Sequence, residues 1–141
     1  MRLSRRLFLT LGVTAGAGLA AGAGLMRAAS AQVVHYEYTP EILAEFAASG
    51  SPYIVNFWAS WCTTCALQQR VIGELQAESQ AYLNVPVIRV DWDRERQGEL
   101  VARLAIPRRS TLVLMDGEEE ISRLVAETRR EAIEAMFTMA I

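Results

Sequence analysis

From Tyr53 to Asp91 the chain runs through an apolar stretch, a segment of helical periodicity and a second apolar stretch, an order that confines it to a parallel crossover. Tyr53-Ile54-Val55-Asn56-Phe57-Trp58 is rich in β-branched and aromatic residues and follows Ser51-Pro52, the make-up of a buried strand. The segment after it, from about 62 to 80, reads as one helix: Ala66 to Leu75 holds no proline and spaces Leu67, Val71, Ile72 and Leu75 by three and four, predicting that these four line its buried face. Val85-Pro86-Val87-Ile88-Arg89-Val90-Asp91 then reads as a second central strand with a proline near its start. Strand, helix and strand in this order close as a right-handed crossover.

The flanks extend the same pattern. Thr39-Pro40-Glu41 opens a helix, with Thr39 able to cap and Pro40 suited to the first helical position; Gly50 ends it, and Ile42, Leu43 and Phe46 form its buried face. After the polar segment Asp93–Gly98, a short helix is expected around Glu99 to Leu104 and a strand over Ser110–Met115. Asp116-Gly117 is a hairpin signal that returns the chain as an antiparallel strand over Ile121–Val125. A closing amphipathic helix spans Arg129 to Met139, with Ala132, Ile133, Met136 and Phe137 facing inward. The sum is an α/β domain, a mixed sheet flanked by helices.

The two cysteines of the sequence, Cys62 and Cys65, sit three positions apart where the first strand gives way to its helix. The first turn of a helix carries unpaired N–H groups and the positive end of the macrodipole, both of which favour a thiolate. Cys62 is therefore the candidate nucleophile on a disulfide sulfur, and Cys65, one turn on, the candidate resolving thiol. The competing reading is an inert core pair, but structural cysteines rarely fall at this spacing at a helix start behind a tryptophan.

Charge and composition exclude other classes. At the N-terminus, Ser4-Arg5-Arg6-Leu7-Phe8-Leu9 resembles a twin-arginine export signal; residues 7–26 carry no charge, and Ala29-Ser30-Ala31 offers small residues for cleavage after Ala31. An uncleaved membrane anchor is the alternative, since the segment is about as long as a spanning helix. Removal of residues 1–31 leaves 32–141, a length for one domain, with ten arginines against sixteen acidic residues and a net charge of −6. That balance argues against nucleic acid as a partner. No lysine occurs, so Schiff-base catalysis is excluded.

Asn56-Phe57-Trp58-Ala59-Ser60-Trp61-Cys62-Thr63-Thr64-Cys65 resembles the active-site strand and helix of thioredoxin-like proteins, and residues 33 to 140 follow that family's element order. The resemblance implies a thioredoxin-like fold, a mixed sheet of four to five strands with helices on both faces. It also implies that Cys62 attacks, Cys65 resolves and Trp61 shields the pair. Three departures stand out. Thr63-Thr64 replaces the Gly-Pro of thioredoxin itself. Asn56 stands where the family has a buried aspartate that helps deprotonate the resolving cysteine, with Arg89 at a nearby lysine position. Ser110 stands at the cis-proline position; a cis bond before a non-proline residue costs about 2.5–4 kcal/mol, so a trans peptide is expected there. Arg108 and Arg109 become candidate cations at the site, and Arg109, Ser110 and Thr111 the candidate substrate loop.

The function expected is a periplasmic, exported thiol–disulfide oxidoreductase that reduces selected protein disulfides, or serves a maturation pathway such as cytochrome c assembly. It needs no cofactor beyond the redox-active Cys62–Cys65 disulfide. The chain carries no nicotinamide or flavin fingerprint, so its electrons are expected from a membrane thiol-transporting protein. A monomer is expected. The rival class is a copper chaperone that holds copper(I) with the two thiolates and the single histidine, His35.

Overall fold

In chain order, residues 33–141, which the computed structural model describes, form β1 (Tyr36–Glu37), α1 (Pro40–Ala48), β2 (Tyr53–Trp58), α2 (Thr63–Glu78), α3 (Gln80–Leu83) and β3 (Val87–Asp91). They continue as α4 (Trp92–Glu95), α5 (Glu99–Arg103), β4 (Thr111–Asp116), β5 (Glu119–Val125) and α6 (Arg130–Met139). The expected export signal at residues 1–31 lies outside the described residues.

One five-stranded sheet, in the order β1-β3-β2-β4-β5, organises the domain. β2 runs parallel to β3, which runs parallel to β1, whereas β4 is antiparallel to both β2 and β5. The mixed sheet expected from the sequence is therefore present, and helices cover both of its faces. Alternation along β2 divides the core between those faces. Val55 and Phe57 pack with Leu43, Ile88, Val90, Leu100 and Val113, under α1 and α5. Ile54 packs on the opposite side with Ile72, Leu75, Val87, Leu112, Ile133 and Phe137, under α2 and α6. A strand covered twice has no polar face to show, which is why Tyr53 to Phe57 reads as a continuous apolar run broken by one asparagine.

Local chemistry sets the ends of the elements. Thr39 caps α1, its Oγ1 accepting the Ile42 N–H at 3.2 Å, and Gly50 at φ 74° carries the chain out of the helix. The hairpin between β4 and β5 turns through Gly117 at φ 59°.

Three expectations need correction. The helix foreseen over 62–80 is two helices, because Ser79 is extended; it ends α2 and then caps α3, its side chain accepting from the Tyr82 N–H. The polar segment after β3 contains α4, which Asp91 starts by accepting the Asp93 N–H at 2.9 Å. The buried face of α2 also differs: Leu67 is 42% exposed, while Gln68 and Gln76 are buried. Both glutamines hydrogen-bond to backbone groups of distant segments. Gln76 accepts the Val34 N–H at 2.8 Å and donates to the Val34 carbonyl at 3.0 Å, tying the approach to β1 onto α2.

Candidate active site

β2 delivers the chain to the head of α2, and Cys62 is the residue that caps that helix. Its backbone is extended, its N–H donates to the Ala59 carbonyl at 3.2 Å, and its Sγ accepts the Cys65 N–H at 3.1 Å. Cys65 lies within the first turn, so the two Cα atoms are 5.2 Å apart and the side chains meet as a disulfide. Both sulfurs face the protein: Cys62 is 5% exposed and Cys65 1%. The sixteen-residue α2 aims its free N–H groups and positive dipole end at Cys62, with no acidic side chain in the first turn to oppose them.

Ser110, from the loop before β4, faces the pair. Its peptide bond to Arg109 is trans, as expected, and its φ of 62° lies in the left-handed region that non-glycine residues enter at a cost of about 1–2 kcal/mol. Three hydrogen bonds hold it there. The Ser110 N–H donates to the Phe57 carbonyl at 2.7 Å, and its own carbonyl accepts the Ala126 N–H at 2.8 Å and the Gln68 side-chain amide at 3.1 Å. Fixed in this way, the fully buried Ser110 hydroxyl lies 3.1 Å from Cys62 Sγ and 3.1 Å from Cys65 Sγ. The neighbouring Thr111 turns away from solvent and donates its hydroxyl to the Arg108 carbonyl at 2.7 Å, so its side chain braces the loop.

Trp61 forms the rim and is 57% exposed. Its indole N–H donates to Asp93 Oδ2 at 2.9 Å, and the Arg109 guanidinium stacks 4.3 Å above its ring. Asn56 and Arg89 are partners in the β2–β3 register and point to the α2 side of the sheet. The Asn56 amide is fully buried, and neither of its polar atoms finds a partner among the described residues, Cys65 included. Arg89 stacks 4.1 Å over the Trp58 ring and forms an ion pair with Glu37. Partial burial pushes the Glu37 carboxyl up, but the Arg89 hydrogen bond and charge, with His35 assisting, outweigh it and hold the group below the ordinary carboxylate value.

The structure thus gathers Cys62, Cys65 and Ser110 at the sulfurs, Trp61 and Arg109 at the rim, and Asn56 with Arg89 in the sheet behind. His35 is spent on the β1 edge, its ring nitrogens 2.9 Å from the Val33 carbonyl and 3.0 Å from Glu37. Among the described residues no group of three or more His, Cys, Asp or Glu side chains is arranged to hold a metal ion. Two contributors escaped the sequence reading. Asp93, which positions the Trp61 indole, carries no local signal. Gln68, which also donates to the Glu127 carbonyl at 2.9 Å, betrays itself only as a polar residue inside an apolar stripe.

Known proteins share this arrangement. The sequence profile of the thioredoxin family, described as Thioredoxin, matches residues 31–139. The chain is 30% identical over 90 residues to the bifunctional thioredoxin reductase/thioredoxin of Mycobacterium leprae, a match covering 64% of this chain and 19% of that protein. It is 26% identical over 107 residues to the thioredoxin of Mycobacterium tuberculosis, covering 76% of this chain and 85% of the relative. Among solved structures, the crystal structure of Trxlp from Edwardsiella tarda superposes with a TM-score of 0.67 at 26% identity, over 74% of this chain and 98% of that one. The thioredoxin of Malassezia sympodialis, at 18% identity, reaches a TM-score of 0.65 over 77% of this chain and 92% of that one, and shares the fold. Since the matched span contains both the five-stranded sheet and a CxxC pair at disulfide distance, the chain belongs to the thioredoxin family and is a thiol–disulfide oxidoreductase.

Proposed function

We propose that the protein is exported to the periplasm and there reduces selected protein disulfides, with Cys62 as nucleophile and Cys65 as resolving thiol. The observation that carries the cysteine roles is the capping position of Cys62: its sulfur accepts the Cys65 N–H at the positive end of α2, and Cys62 is the more exposed of the two residues. The Cys62 thiolate attacks one sulfur of the substrate disulfide, forming a mixed disulfide and releasing the other substrate sulfur as a thiolate. The Cys65 thiolate then attacks Cys62 Sγ. The Cys62–Cys65 bond forms, the bond to substrate breaks with its electron pair leaving on the substrate sulfur, and two electrons have passed to the substrate. Trp61 and Arg109 flank the approach, and Ser110 and Thr111 lie buried in the same loop behind Arg109.

The twin-arginine pattern at residues 4–9 and the small residues before position 32 support export. In the periplasm, the electrons come from a membrane thiol-transporting protein. The relative from Mycobacterium leprae is named as a reductase and a thioredoxin in one chain, an example of a donor and a carrier joined.

A trapping experiment tests the roles. Cys65→Ser, expressed with its N-terminal segment, is expected to accumulate mixed disulfides with client proteins in the periplasmic fraction, each joined through Cys62. Cys62→Ser is expected to lose insulin-disulfide reduction by at least about a thousandfold and to trap nothing. Clients captured through Cys65 in the Cys62→Ser protein would reverse the two roles, and trapped clients confined to the cytoplasm would refute export.

A further inference from the structure

We propose that the Ser110 hydroxyl is a catalytic group that serves the two sulfurs in turn: it donates a hydrogen bond to the Cys62 thiolate in the reduced protein and to the Cys65 thiolate in the mixed disulfide. The inference rests on the roles proposed above for Cys62 and Cys65. Its basis is the position of one oxygen 3.1 Å from each sulfur, fully buried, on a residue held in left-handed backbone by its three main-chain hydrogen bonds. In the disulfide neither sulfur bears a proton, so the hydroxyl is the donor. A neutral disulfide sulfur is a weak acceptor, whereas a thiolate accepts a charge-assisted bond about twice as strong.

The hydroxyl has one proton and therefore serves one sulfur at a time. In the dithiol the Cys62 thiolate takes it, along with the Cys65 N–H that already points at Cys62 Sγ. Once Cys62 is bonded to substrate its sulfur is neutral, and the O–H turns to Cys65. That is the thiol whose ionisation drives resolution, and the buried polar residue that the central strand presents on the α2 side is an asparagine, which cannot accept a proton. The proton of Cys65 passes to solvent, its thiolate is stabilised by Ser110, and the released substrate thiolate takes up a proton in turn. Atoms and electrons balance with no further reactant.

Other charged groups surround the pair without reaching the sulfurs. Asp93 of α4 holds the Trp61 indole, Arg109 of the loop before β4 stacks on that ring, Arg89 of β3 stacks on Trp58, and Glu127 between β5 and α6 offers its carbonyl to Gln68. Among the described residues, the hydrogen bonds made by the two sulfurs are to the Ser110 hydroxyl and the Cys65 N–H.

Two variants separate the hydroxyl from the backbone. Ser110→Ala removes the hydroxyl and keeps the strained φ, while Ser110→Gly removes it and relieves the strain. In the reduced domain, the pH profile of Cys62 alkylation, followed by mass spectrometry, reads the thiolate directly. Both variants are expected to raise the Cys62 pKa by about one unit and so cut the thiolate fraction about tenfold below it. Equilibrium with glutathione at a pH where the parent Cys62 is ionised is expected to shift about tenfold toward the disulfide, or about 30 mV more negative. The mixed disulfide is also expected to persist about tenfold longer in both variants. An unchanged alkylation profile in both variants overturns the proposal while leaving the roles of the two cysteines intact. A shift in Ser110→Ala with none in Ser110→Gly also overturns it, since the backbone and not the hydroxyl would then matter. Failure of the parent protein to exchange through Cys62 would instead remove the reading on which the proposal rests.

Discussion

Replacing Asn56 with leucine is expected to stabilise the domain. Asn56 occupies the middle of the central strand, fully buried, with neither amide atom paired among the described residues. Burying an amide without hydrogen bonds costs about 1–3 kcal/mol by mutational measure. Leucine has the same number of side-chain heavy atoms and the same branch point, so Asn56→Leu removes the penalty without opening a cavity. Its bulkier methyl groups give back up to about 1 kcal/mol through tighter packing against Leu112, the β4 partner in register. The net gain lies between about 0 and 3 kcal/mol and centres on about 1.5 kcal/mol, which for a domain of this length raises Tm by roughly 6 °C. Thermal and urea unfolding of the oxidised protein measure it with the disulfide held constant. Asn56→Asp supplies the opposite sign. Burial raises a carboxyl above its usual value of about 3.9, so the folded state holds a proton that the unfolded state releases; stability is then greatest below about pH 3.9 and falls as the pH rises. A loss of more than about 1 kcal/mol in Asn56→Leu would refute the reasoning, because it would mean that the amide is satisfied in place.

Thr39→Ala removes the side chain that accepts the Ile42 N–H and is expected to cost about 1 kcal/mol, lowering Tm by roughly 4 °C, with no change in exchange activity. Glu127 is held down to about 2 from the ordinary 4.5, first by the Arg129 side chain and then by the Arg129 N–H. A lowered carboxyl contributes its stability in full above about pH 4.5 and loses it as the pH falls toward 2. Arg129→Ala is therefore expected to move the Glu127 midpoint toward 4.5 in a carboxyl NMR titration. A midpoint that stays near 2 would show that the backbone N–H groups alone hold the charge.

The central strand was legible because a strand covered on both faces must be apolar along its length, and the segment Tyr53–Trp58 is read to the residue. Caps and turns were legible for the same local reason: Thr39, Gly50 and Asp116-Gly117 act on backbone within a few positions of themselves. The face of α2 was misread because periodicity counts apolar residues, whereas Gln68 and Gln76 are buried by carbonyls and N–H groups brought in from 42 and 59 positions away. The missing proline at position 110 was visible in the sequence, as was the trans bond that follows from it. What replaces the proline was not visible, since the direction of one hydroxyl depends on a φ of 62° that Phe57 of β2, Gln68 of α2 and Ala126 just after β5 enforce from distant parts of the chain. Asp93 was unreadable for a similar reason: its partner is 32 residues away, across the top of the sheet.

The atom that caps α2 is the same atom that we propose reacts with substrate, so the helix and the proposed chemistry share a fastening. As a thiolate, Cys62 Sγ grips the Cys65 amide firmly; bonded to a client, the same sulfur is neutral and grips it less. The opening turn of α2 thus loosens at the moment when Cys65 must move toward Cys62, and it tightens again when the dithiol is restored. Hydrogen exchange at the Cys65 amide follows the catalytic cycle from within the backbone, with no label attached to either sulfur. Serine at position 62 retains the cap and is expected to abolish the cycle, which makes it a better silent control than alanine.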